Sequence, residues 1–173
     1  MLKRILFALA LLTVVSSAQD NSLNAVVWFK NPSTGFSGWG IANVMADTLS
    51  PNVFVGKHFA NGKWWVEPLI GVNMLPDSLT ALIGFKSYFE QFSFAQLWLE
   101  GTVPNPWHTP WSGANLYGML HRSTLFGKAG YEFVLTSNGW THGLHAIVGS
   151  ETASLVFHYQ EGGVVAIDVF LSF

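Results

Sequence analysis

The chain has 173 residues, with eight Lys or Arg against ten Asp or Glu and no cysteine. Only 10% of it is charged, against about 25% in a typical soluble domain, while half is apolar and 15% aromatic. That composition excludes a disulfide framework, a lipid-anchoring N-terminal cysteine and a basic nucleic-acid-binding face, and it implies that much of the surface meets something other than water.

In chain order the first element is Lys3-Arg4, an apolar run over residues 5–15 and then Ser16-Ser17-Ala18. This is the pattern of a secretory signal peptide at 1–18, cut before Gln19, because the apolar run is too short to span a bilayer as a helix. Its removal leaves 155 residues with a net charge near −4, enough for one domain. No later stretch has the length of a transmembrane helix, so strands must do any spanning.

Residues 19–35 are expected to be a periplasmic or plug segment, with 23–30 as an alternative extra strand, and 36–173 to form the barrel domain. Beyond Phe36 the segments at about 36–48, 52–60, 63–75, 78–90, 92–103, 113–125, 127–137, 139–150, 152–160 and 164–173 are separated by turn residues. The turns are expected at Leu49-Ser50-Pro51-Asn52, Asn61-Gly62, Leu75-Pro76-Asp77-Ser78, Asn138-Gly139 and Glu161-Gly162-Gly163. One long connection, 104–112, is rich in Pro and Trp and is expected on the outer side. Within the segments the period is two. Trp64, Val66, Ile70 and Val72 oppose Glu67, Gly71 and Asn73, and Tyr131, Phe133 and Leu135 oppose Lys128, Gly130 and Glu132. The pattern predicts an all-β, closed antiparallel up-and-down barrel of about ten strands, with eight or twelve as alternatives. Trp64, Trp65, Trp98, Trp140, Tyr88, Tyr131 and Tyr159 are candidates for interfacial girdles, although Trp98 falls on the inward face.

In the last segment Val165, Ile167, Val169, Leu171 and Phe173 form a wholly apolar face that ends on the terminal Phe. Here the chain resembles the C-terminal strand signature of bacterial outer-membrane β-barrel proteins, over residues 164–173; elsewhere the likeness is general. The resemblance implies a transmembrane barrel in the bacterial outer membrane. It also implies that this face meets membrane lipid and that the barrel-assembly machinery recognises the last strand.

No nucleotide loop, nucleophile elbow or metalloprotease helix is present, and His142 and His145 point to opposite faces of a strand. The expected function is therefore that of a non-enzymatic small barrel with an envelope-structural, surface-interaction or limited solute-passage role, without cofactor, metal or nucleic acid. The alternatives are an enzyme acting on lipid A or another envelope lipid, and a soluble calycin-like barrel with an apolar ligand. Hairpin arithmetic adds one candidate site. Two-residue turns at Phe126-Gly127, Asn138-Gly139 and Glu151-Thr152 would set His121 opposite Glu132, Glu132 opposite His145 and His145 opposite His158, with Asp168 nearby. Such a row suits metal binding, a carboxylate-oriented histidine base or, as the favoured reading, a hydrogen-bonded polar lining of the lumen.

Overall fold

The computed structural model describes residues 22–45, 48–90, 95–104, 106–107, 113–161 and 163–173. The expected leader at 1–18, residues 92–94 of one expected strand and most of the 104–112 connection lie outside the described residues. Twelve strands follow in order: β1 (Ser22–Lys30), β2 (Phe36–Met45), β3 (Thr48–Lys57), β4 (Phe59–Asn61), β5 (Trp64–Leu75) and β6 (Ser78–Phe89). They continue as β7 (Gln96–Pro104), β8 (Asn115–Thr124), β9 (Gly127–Thr136), β10 (Gly139–Gly149), β11 (Ala153–Gln160) and β12 (Val164–Ser172). Consecutive strands pair except β3 and β4, both of which pair with β5, and β1 meets β12 to close the barrel.

Eleven strands make the wall, and β4 continues the β3 edge along β5 in the same register. Pro68 stands opposite the break between them; without an N–H it cannot complete the ladder there. Residues 22–30, for which an extra strand is the alternative reading, are a full wall strand paired on both sides. An odd number of alternating strands leaves the first and last running the same way, so β1 and β12 pair in parallel, from Ser22↔Ala166 to Trp28↔Ser172. The expected all-antiparallel barrel is corrected at this one seam, and Ser22 and Phe173 lie at opposite mouths. Phe173 extends the seam by donating its N–H to the Trp28 carbonyl at 2.9 Å.

Leu49-Ser50-Pro51-Asn52, expected as a turn, lies inside β3. The wall accepts Pro51 because pairing of β3 with β5 begins only at Asn52, so the missing N–H falls where that edge is unpaired. The β7–β8 connection is at the mouth opposite Phe173, called here the far mouth, and Trp107 within it is exposed.

Alternation sets the two faces. Trp28 stacks on Trp39 at 5.0 Å and on Trp65 at 5.5 Å, while Trp98 meets Trp39 edge-on at 6.0 Å and Phe170 lies 5.9 Å from Trp39. These rings come from β1, β2, β5, β7 and β12, so their meeting point is the lumen. Trp65 and Tyr88 therefore do not belong to an outer girdle, whereas Trp64, Trp140, Tyr131 and Tyr159 do face outward. The strand charges Lys30, Glu67, Lys86, Glu100, Lys128, Glu132 and Asp168 share the inward parity. Lys57 and Arg122 are the outward ones among the described strand residues, both near the Phe173 mouth. The outer wall is apolar: Ile70 is 63%, Leu79 75% and Leu144 61% exposed. Val165, Ile167, Val169, Leu171 and Phe173 share this outer face, although Val169 is only 7% exposed, between Ala25 and Leu155.

Trp39, at 1% exposed the largest fully buried side chain, is the centre of the aromatic plug. Truncating it removes ring contacts to three strands and leaves the Glu67 carboxylate without the indole donor. Trp39→Ala is expected to cost about 3–5 kcal/mol. A guanidinium unfolding series followed by tryptophan fluorescence checks this; an unchanged midpoint would mean the plug does not hold the barrel together.

Candidate functional site in the lumen

The hairpins that carry the histidine row turn on a repeated pattern, Thr124-Leu125-Phe126-Gly127 and Thr136-Ser137-Asn138-Gly139. In each, the Thr hydroxyl accepts from the N–H two residues on and donates to the carbonyl three residues on, all four bonds at 3.2 Å. The turn pair is thus Leu125-Phe126 or Ser137-Asn138, and each Gly opens the next strand with φ near 140°. Both registers consequently shift by two residues from those expected. His121 and His145 each stand opposite Gly130, and Glu132 stands opposite Met119 and Gly143. The third hairpin follows the expectation, with His145 opposite His158. A shift of two leaves every side chain on its face, so all five candidates remain in the lumen.

The side chains nevertheless converge. Gly143 presents no side chain between β9 and β11, and Glu132 reaches across it to His158 Nδ1 at 2.6 Å. The same carboxylate accepts from the Tyr117 hydroxyl and from Gln160 Nε2, both at 3.0 Å. On its other side His158 Nε2 lies 3.4 Å from Asp168, whose carboxylate accepts from Asn24 Nδ2 at 2.7 Å across the parallel seam. His145 Nδ1 is 3.9 Å from Glu132, and the His121 and His145 rings meet edge to face at 5.4 Å.

Glu132 is fully buried, and His121 and His145 are buried with neither ring nitrogen hydrogen-bonded. Among the described residues no three His, Asp or Glu side chains form a metal-binding group. His158 is flanked by carboxylates on both sides, hydrogen-bonded to Glu132 through Nδ1 and 3.4 Å from Asp168 at Nε2. The arrangement is suited to crosslinking strands.

A second network escaped the histidine arithmetic. Glu67, fully buried, accepts from Trp39 Nε1 at 2.5 Å and pairs with His58 Nδ1 at 2.7 Å. Lys86, its register neighbour, pairs with Glu100 and lies 4.6 Å from the Trp39 ring centre. The Pro76-Asp77 turn was the available signal: counting back from it places Glu67 opposite Lys86.

At the far mouth the lumen opens into a cavity of about 520 Å³. Its polar wall is Asn43, Asn52, Asn73, Thr80, Thr102 and Asn115; the Glu132 cluster does not line it. No protein-family model matches the chain, and neither a curated protein nor a solved structure matches it.

Removing one partner of a buried charged pair strands the other, at about 3–5 kcal/mol. Glu132→Gln and His158→Gln should each destabilise strongly, and the double variant should recover part of the loss. A double-mutant cycle on unfolding free energy reads the coupling; strict additivity would show that the two side chains do not support each other.

Proposed function

We propose that the chain is a small outer-membrane β-barrel of the bacterial envelope, with a structural and surface-interaction role and a lumen closed to general solute flow. The observation that carries this reading is the polarity of the wall: charges inward, aliphatic side chains outward. A soluble barrel with an apolar ligand needs the reverse, an apolar lumen under a polar exterior. Here an apolar ligand would have to displace ion pairs inside, while Ile70, Leu79 and Leu144 would face water. The outer aromatics support the same reading. Phe29, Phe36, Phe59, Trp64 and Phe173 lie toward the Phe173 mouth and Trp140 and Tyr159 toward the far mouth, as interfacial girdles do. The aromatic plug argues against porin activity, since a channel requires a wider barrel than side chains can fill. Lipid-modifying catalysis has little support at the far mouth, whose cavity the histidines do not line.

Leu144 is at the middle of β10, so an Arg there meets hydrocarbon if the wall is lipid-facing and costs about 2–4 kcal/mol near the midplane. Leu144→Arg is expected to reduce heat-modifiable, carbonate-resistant protein in membranes severalfold, whereas Arg122→Leu is tolerated. Full recovery of Leu144→Arg as a soluble protein would overturn the membrane reading.

Orientation follows from the C-terminal signature, which places Phe173 on the periplasmic side. An epitope inserted after Trp107 should be labelled on intact cells; labelling only after permeabilisation would reverse the topology.

A further inference from the structure

We propose that the far-mouth cavity is a binding site for an uncharged polyhydroxyl ligand of mono- to disaccharide size. At about 520 Å³ it lies within the range of small-molecule pockets. It sits where the ends of β2, β5 and β7 meet the starts of β3, β6 and β8.

Its chemistry is selective. The Asn73 amide nitrogen donates to Ser50 Oγ and Asn52 Oδ1, both at 2.8 Å. Those bonds fix both amides, leaving the Asn73 oxygen as an acceptor and the Asn52 nitrogen as a donor. Among the described residues the side chains of Asn43, Thr80, Thr102 and Asn115 have no hydrogen-bond partner. Amides and hydroxyls that both donate and accept match sugar hydroxyls, which do the same. Beneath them Phe54, Leu69 and Leu82 make an apolar floor for the C–H face of a sugar ring.

Charge and polarity exclude the other classes. Lys86 and Glu100 reach the cavity already paired to each other, so an ion would give up its hydration without a free counter-charge. An apolar ligand would cover this polar wall unpaired, at about 1–3 kcal/mol for each buried group.

The site is independent of the histidine network; that it faces the cell exterior rests on the membrane reading above. The test is calorimetric titration of the whole folded protein with maltose, lactose and chitobiose, in dimethylamine-oxide micelles because a maltoside headgroup is itself a probe. Saturable binding of at least one disaccharide is expected. Asn115→Leu and Thr102→Val should each weaken it about tenfold, the loss of one good hydrogen bond, with heat-dependent gel mobility unchanged. Absence of binding by all three sugars, tighter binding of inorganic phosphate, or wild-type affinity in both variants overturns the proposal. Gel mobility reports the barrel in the same sample, so a failed sugar site is distinguishable from a failed membrane reading.

Discussion

Each acid on the inward face of the wall must find a donor inside the protein, because a carboxylate withdrawn from water without one would not stay ionised. Glu67 has Trp39 and His58, Glu100 has Lys86, Glu132 has His158, Gln160 and Tyr117, and Asp168 has Asn24. Several of these bonds skip a strand. Trp39 to Glu67 ties β2 to β5 past β3, and Glu132 to His158 ties β9 to β11 past β10. A wall held only by neighbouring ladders can shear strand by strand; bonds across the lumen oppose that motion.

The parallel seam depends on the same constraint. Parallel ladders are slightly weaker per residue than antiparallel ones, and this seam joins the first and last of the described strands, with no turn to hold them together. Asn24 on β1 and Asp168 on β12 are register partners, and their side-chain bond adds a polar link at the one closure that sequence adjacency does not supply. Asp168 also lies beside His158, so the seam and the histidine network are one connected system.

Face assignment was legible in the sequence because period two survives every detail of the turns. Tyr131 out and Glu132 in, Ile70 out and Glu67 in, needed no structure. Register was less legible. Asn138-Gly139 has the chemistry of a type I′ pair, yet the Thr136 hydroxyl caps the chain one residue earlier and moves the turn to Ser137-Asn138. Pro51 resembled a turn residue because its tolerance depends on which edge of β3 is unpaired, a tertiary fact. Residue type alone assigns Trp65 and Tyr88 to a girdle, whereas their parity with Glu67 and Lys86 puts them in the lumen. The parallel seam was hidden because a strand count of eleven admits it only once residues 22–30 are known to pair on both sides.

The lumen is layered, and the layering decides what kinds of activity fit. Amides and hydroxyls occupy the far mouth, while indole rings with the Lys86 and Glu100 charges close the passage beneath them. Passage of an ion past this level would require the Trp39, Trp65 and Trp98 rings to separate and the buried pairs to open together, a concerted loss of packing and paired charge. The histidine cluster does not line the far-mouth cavity, and its rings are buried. The charges that reach the far-mouth cavity, Lys86 and Glu100, are paired to each other, so the accessible part of the lumen there is uncharged in sum. Amides and hydroxyls at the mouth above a closed aromatic layer favour recognition there over conduction through the barrel.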